Sequence, residues 1–278
     1  MGLRISTNIA SQSVQKNLKE ISTKGDSELE KLSSGKRITK SADDAAGLAI
    51  ATNLEAQTKG LRQATRNAND GISLVQTAEG GMNEVSNILV RLRELTVQAA
   101  SDTVGDSERG FLNKEYQNLV KEVDRISKST TFNGTSLLEG KSGKGTLDFQ
   151  VGAFAGEQNV IAFDADQTNI SADNIGIAGS GIEGKESALD SISSIDKAIE
   201  NVSSQRANLG AIQSRLASTV SNLEVQTINQ DSARSVIQDV DVASSSAKLA
   251  STNVVKNAAI STLAQANSIP NSALRLIG

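Results

Sequence analysis

The amino-acid sequence predicts a mainly α-helical fold: an elongated, antiparallel coiled-coil bundle formed by the N- and C-terminal halves, with a small β-hairpin region in the middle. Apolar residues recur at spacings of three and four near both ends of the chain, whereas a glycine-rich segment of alternating apolar and polar residues separates the ends. A helix cannot bury its own apolar stripe, so the N-terminal helices need the C-terminal helices as partners. Both termini would then lie at one end of the rod.

Each half carries its own stripe. In the N-terminal half the 3/4 alternation is that of a coiled-coil seam, widened by Ile88 and Leu95. Arg206 and Gln213 interrupt the seam of the C-terminal half, and polar residues at such positions usually fix helix register at some expense of stability. Periodicity alone leaves open a helical bundle of no particular purpose. The seam positions are Val75, Ala78, Met82, Val85, Leu89, Leu92, Thr96 and Ala99 in the first half, and Ile192, Ile195, Ile199, Val202, Leu209, Leu216, Val220 and Leu223 in the second.

Turn and capping residues set the expected bounds of the helices. Ser33-Ser34-Gly35 breaks the first helix, and Ser41 with Asp43-Asp44 offers the second an N-cap and an acidic first turn. The final helix is expected to end before Pro270, because proline has no amide hydrogen to donate to the preceding turn. The predicted helices run over roughly residues 3–32, 42–100, 107–128, 186–230 and 235–267.

The pattern changes to a period of two between Gly140 and Gly184. Apolar residues at 147, 149 and 151 alternate with polar or small ones, as do those at 161 and 163, and residues 152–157 can connect them into a β-hairpin. The glycine-rich stretch 176–184 is expected to be a flexible connection. An apolar plug at one end of the rod is predicted from the phenylalanines in or just before this segment, Phe132, Phe149, Phe154 and Phe163.

Composition excludes several classes of function. The chain has no Cys and no His, which removes disulfides, thiolate catalysis, the commonest general base and the commonest metal ligands. Its net charge is −4 with Lys and Arg scattered among Asp and Glu, so no basic footprint indicates nucleic acid or an anionic membrane. No apolar run reaches the roughly 18 residues of a membrane span. We therefore expect neither an enzyme nor a cofactor or metal site.

Several long blocks resemble bacterial flagellin. At the N-terminal side these are KLSSGKRITKSADDAAGLAIA (31–51), RNANDGISLVQTAEGGMNEV (66–85) and VRLRELTVQAA (90–100). At the C-terminal side they are ARSVIQDVDVA (233–243) and LAQANSIP (263–270). The blocks occur in the family's order, and the resemblance covers roughly residues 5–135 and 187–276.

The resemblance implies a structural subunit that polymerises into the extracellular flagellar filament for motility. The terminal helices, residues 1–40 and 235–278, would form the inner filament tube. Residues 41–234 would form a helical rod, with the β-hairpin at about 140–184. Little chain lies between the hairpin and the returning helix, which indicates a near-minimal form without large outer domains. The alternative is a hook–filament junction protein or another coiled-coil protein secreted by the flagellar export system.

The resemblance also implies partners. Besides other copies of the chain, these are the flagellar cap, hook-associated proteins, an export chaperone at the C-terminal segment, and the host Toll-like receptor for flagellin. The receptor contact would use Arg91 and Leu95, four residues apart on one helix, together with Glu115. Apolar residues of the terminal helices are the expected polymerisation contacts: Leu3, Ile5, Ile9, Leu18, Leu263, Ile269, Leu274 and Leu276.

Overall fold

A computed structural model describes residues 7–140 and 145–277, with side chains described as far as Ile269. The chain is mainly α-helical, as the sequence predicts. Its helices are α1 (Ile9–Ser34), α2 (Ala45–Ala99), α3 (Asp106–Ser129), α4 (Lys185–Gln238) and α5 (Val242–Ile277). The strands are β1 (Thr131–Phe132), β2 (Thr135–Ser136), β3 (Thr146–Gln150) and β4 (Val160–Asp164), and a 3₁₀ turn spans Glu157–Asn159. Two compact units result, residues 1–57 with 229–278, and residues 58–228.

In the first unit α1 and α5 pair antiparallel, with Cα atoms within 8 Å of each other along the pair. The early part of α1 lies beside the late part of α5, since the Asn8 side chain donates a hydrogen bond to Ala266 O. At the other end of the pair, the amide of Val240 donates to Gly35 O at 3.0 Å. Gly35 has a φ of 71°, the left-handed conformation that commonly ends a helix, so the predicted break after α1 is confirmed.

The facing sides of α1 and α5 follow a 3/4 spacing but carry many small or polar side chains. Small residues let the two backbones approach closely, as where Gly25 lies beside Thr252. The buried or half-buried positions in this 3/4 series are Ser11, Val14, Leu18, Ile21, Gly25, Glu28 and Leu32 on α1, and Ser245, Leu249, Thr252, Lys256, Ala259, Leu263 and Ala266 on α5. We call these positions the terminal seam. Because it buries few large apolar side chains, it stabilises the pair only weakly.

The second unit contains the main core. Every predicted seam position from Val75 to Ala99 is fully buried on α2. On α4 the predicted positions 195, 202, 209, 216 and 223 are buried, and those at 192, 199 and 220 are half-buried. Arg93 pairs with Asp196 at 2.7 Å and Lys185 with Asp102 at 2.8 Å, which makes α2 and α4 antiparallel. The predicted pairing of the two halves of the chain is confirmed.

Helix α3 closes this core on another side of α2, held at its start by Arg109. The guanidinium of Arg109 donates to Ala99 O at 2.9 Å, to Ser101 O at 3.0 Å and to Asp106 at 2.9 Å. Arg109 thereby satisfies carbonyls at the end of α2 that no helical amide reaches. Further along α3, Tyr116 is fully buried and its hydroxyl lies 2.6 Å from Ser180 Oγ.

The β-hairpin forms as predicted, with β3 and β4 antiparallel and Phe149 opposite Ile161. Phe163 is fully buried, and the Phe149 ring lies so close to Gly71 of α2 that a Cβ there would be 3.2 Å from it. The expected apolar plug is wrong in one member, since Phe154 stands 59% exposed in the connecting loop. A five-residue strand pair has room to bury only the phenylalanines on its inward face.

The glycine-rich stretch 176–184 is not the loose connection that the sequence predicts. Ile177 and Ile182 are buried in the core, and Ser180 O accepts a hydrogen bond from the Gln117 side chain at 2.8 Å. Isoleucines between the glycines anchor the segment, so its glycines provide turns rather than mobility. Gly176 and Gly179 both have positive φ, which explains their presence.

Two predicted helix signals are also wrong. The N-cap of α2 is Asp44 rather than Ser41, because Asp44 Oδ1 accepts from the amide of Gly47 at 2.8 Å. The last helix does not end before Pro270 but continues to Ile277. Pro270 cannot donate a hydrogen bond to Ala266 O, and the Asn8 side chain donates one instead.

Replacing Arg109 by alanine should lower the free energy of unfolding of the second unit by about 2 kcal/mol, because hydrogen bonds from a charged donor contribute roughly 1.5–3 kcal/mol. Urea titration followed by circular dichroism measures the loss. Arg125→Ala on the same helix is the matched control. The Arg125 side chain is 64% exposed and pairs with Glu122, so its removal should leave the stability nearly unchanged. Equal losses in the two variants would contradict the role given to Arg109.

Candidate polymerisation surface

Several large apolar side chains of the α1–α5 pair are exposed outside the terminal seam. Val254 is 69% exposed and Ile9 58%, although both helices are paired. Apolar side chains grouped on an exposed face commonly mark a protein–protein contact. We call this group the outer apolar face: Ile9 and Leu29 on α1, and Val242, Val254, Val255, Ile260 and Ile269 on α5.

The residues predicted for polymerisation divide between two places. Ile9 and Ile269 lie on the outer apolar face. Leu18 and Leu263 are half-buried in the terminal seam, so they hold α1 against α5 within one chain. Leu3 and Ile5 lie outside the described residues. Leu274 and Leu276 lie on α5, where the structure describes the backbone alone.

Sequence reasoning missed the other members of the outer apolar face. Leu29, Val254 and Ile260 all stand off the 3/4 seam of their own helix. That offset is a usable signal, because a helix with one partner needs a single stripe and a second stripe requires a second partner. Sorting the apolar residues of α5 into those on and those off its 3/4 seam would have identified Val254 and Ile260 from the sequence.

A compact set of polar contacts holds the chain between α1 and α2. The carboxylate of Asp43 accepts from the amides of Thr39 and Lys40, each at 3.0 Å. These backbone hydrogen bonds, first that from Thr39, hold the pKa of the Asp43 carboxyl below its ordinary value. The Arg37 guanidinium donates to Ile237 O at 2.6 Å, near the end of α4. The predicted acidic pair at 43 and 44 therefore has structural partners on both residues.

The residues predicted for receptor contact do not share one surface. Arg91 is exposed and its guanidinium pairs with Glu115 at 2.9 Å and with Glu94 at 3.0 Å. Leu95, in contrast, is only 1% exposed, so the expectation that it flanks Arg91 on the surface is wrong. α2 packs against both α3 and α4, and its buried surface is wider than the seam of a two-helix coiled coil.

Within the described ranges, none of the helices has the length and apolar character that crossing a membrane requires.

Two protein-family models match most of the chain. The bacterial flagellin N-terminal helical region matches residues 5–143, and the bacterial flagellin C-terminal helical region matches residues 192–277. The flagellin of Halalkalibacterium halodurans is 41% identical over 273 residues, covering 98% of this chain and 99% of that protein. The flagellin of Bacillus subtilis is 36% identical over 309 residues, covering 99% of this chain and 100% of that protein.

A solved structure agrees with these matches. The crystal structure of Bacillus cereus flagellin is similar to this chain with a TM-score of 0.51 at 27% identity, covering 57% of this chain and 88% of that one. The chain belongs to the bacterial flagellin family. It is a structural subunit of the extracellular flagellar filament and not an enzyme, in a small form without a large outer domain. Nothing in the comparisons favours the hook–filament junction alternative.

Proposed function

We propose that the antiparallel pair of α1 and α5 is the element through which copies of this chain polymerise. The outer apolar face supports the proposal most directly, because folding of a single chain leaves it uncovered. In the filament this face would pack against neighbouring copies. Leu3, Ile5, Leu274 and Leu276 extend the same apolar character toward the two ends of the chain and are part of the proposal.

The energetics of the terminal seam support the same role. Ordering backbone costs roughly 1 to 2 kcal/mol per residue, and a seam whose large apolar side chains are only half-buried offsets little of that cost. Burying apolar surface at about 25 cal/mol per Å² between copies adds the missing stabilisation. The α1–α5 pair would therefore gain most of its order on assembly. A repeated head-to-tail contact whose rotation does not close produces a helical polymer.

The layers of the filament follow from this proposal. Residues 1–40 and 235–278 would form the inner tube, and residues 41–234 would form the surrounding rod with the β-hairpin region at about 140–184. The dense core of α2, α3 and α4 supports an outer layer that is stable without neighbours. The cap, the hook-associated proteins and an export chaperone at the C-terminal segment complete the proposed partners, on the resemblance to flagellins.

A second proposed contact is the host Toll-like receptor for flagellin. Arg91 and Glu115 support it, because they form an exposed ion pair that joins α2 to α3. Arginine is enriched among the residues that dominate the energetics of protein–protein contacts. Leu95 would act only through the core, by keeping α2 and α3 in place.

The polymerisation proposal is tested by replacing Val254 with aspartate. The charge would have to be buried between copies in the filament, so we expect the variant to lose sedimentable filaments while its monomer keeps the circular dichroism of the parent. Electron microscopy of the pellet checks the result. Val97→Asp is the matched control, since Val97 is also exposed, at 49%, but lies on α2. Filaments from the Val254 variant in normal yield would overturn the proposal.

The receptor proposal is tested with reporter cells exposed to purified monomer. Arg91→Ala should reduce the response at least about tenfold, the size of effect expected when an arginine that dominates a contact is removed. Arg93→Ala serves as the control on the same helix, because Arg93 is similarly exposed and also ion-paired, but with Asp196 of α4. Equal responses to the parent chain and Arg91→Ala would refute the contact.

A further inference from the structure

Pro270 creates a special position on α5. In a regular helix each interior carbonyl accepts from the amide four residues further along the chain. Proline has no amide hydrogen, so position 270 cannot serve Ala266 O, although the helix continues to Ile277. Ala266 lies in the terminal seam and is only 6% exposed, which limits access of water to its carbonyl.

Asn8 supplies the missing donor. Its Nδ2 donates to Ala266 O at 2.9 Å, while its Oδ1 accepts from the amide of Ser11 at 3.0 Å and so caps α1. Both ends of the amide group are engaged, which fixes its orientation. Beside it, Ser11 Oγ donates to the Asn267 side chain at 2.7 Å. The Asn8 side chain therefore satisfies one backbone group of each helix, the amide of Ser11 in α1 and the carbonyl of Ala266 in α5.

The rest of the terminal seam specifies alignment poorly. Its contacts repeat with heptad spacing on both helices and include small residues, as where Gly25 lies beside Thr252. A slip of seven residues would exchange one set of small contacts for another of similar kind. The free carbonyl at Ala266, by contrast, occurs at one position along α5 and cannot be matched after a slip.

We propose that Asn8 specifies the register of α1 against α5 by recognising the carbonyl of Ala266 that Pro270 leaves without a helical donor. Asn8 is a positioning residue here, and the proline gives it a unique target. The inference concerns alignment within one chain and does not rest on the proposed filament contacts.

Engineered cysteine pairs can report the register, because the chain contains no cysteine of its own. Gly25→Cys with Thr252→Cys reports the native alignment, since a Cβ at position 25 lies 3.4 Å from Thr252 Cγ2. Gly25→Cys with Ser245→Cys or Ala259→Cys reports a slip of one heptad in either direction. Each reporter chain is mixed with a large excess of cysteine-free chain under polymerising conditions and oxidised, and intramolecular disulfides are counted by mass spectrometry in pellet and supernatant.

Asn8→Ser is the informative variant, because serine keeps the capping acceptor of α1 and removes the donor to Ala266 O. With Pro270 present it should lower the ratio of native to slipped disulfides about three- to tenfold, the effect of one hydrogen bond. In a Pro270→Ala background the helix supplies its own amide, so the same change should alter the ratio less than about twofold. Asn17→Ser, on an exposed part of α1, is the control and should leave the ratio unchanged.

Two results would overturn the proposal: no effect of Asn8→Ser with Pro270 present, or an equal effect in both backgrounds. An equal effect in both backgrounds would mean that Asn8 stabilises α1 without recognising Ala266 O. Failure of the parent chain to pellet would count against the polymerisation proposal alone, since disulfides in the soluble chain still report the register.

Discussion

The rest of the structure depends on one requirement. The apolar stripe of α2 must be covered by a helix from the far end of the sequence. Met82, Leu89 and Leu92 are completely buried, and the helix that covers them, α4, follows only after the whole of α3 and the β-hairpin region. Once α2 and α4 are antiparallel, the chain segments beyond them are brought together. Within the first unit, the backbone of Lys36 pairs with that of Asp239, and α1 and α5 form a second antiparallel pair.

The two units use the same helical geometry with different energetics. In residues 58–228 leucine, isoleucine, valine and aromatic side chains from three helices and the hairpin form one continuous cluster. In the α1–α5 pair, small or polar residues share the inward positions with half-buried leucines, and several large apolar side chains are exposed. This difference suits the proposed role. Residues 58–228 would be stable in a single chain, and the α1–α5 pair would complete its order on assembly. The register of α1 against α5 then depends on hydrogen bonds such as that from Asn8.

Much of the fold could be predicted from the sequence, because hydrophobic periodicity reports directly on burial. Every predicted seam position of α2 is buried, and Asn133-Gly134 forms a turn with positive φ at both residues, which an Asn-Gly pair favours. The continuation of α5 through Pro270 could not be predicted, since the compensating donor is an asparagine at the opposite end of the chain. The burial of Leu95 agrees with its predicted place in the widened stripe of α2 and not with the receptor contact that the resemblance implied. For the candidate surface, the sequence indicated Ile9 and Ile269 but not Val254, because the apolar residues of α5 off its seam were not separated from those on it.

The central claim is that the α1–α5 pair joins copies of the chain through its outer apolar face. Electron cryomicroscopy of filaments polymerised from the purified chain tests it most directly. The account predicts α1 and α5 in the innermost layer, with Ile9, Val254 and Ile269 in contact with neighbouring copies. A filament in which these side chains face solvent, while copies meet only through residues 58–228, would contradict it.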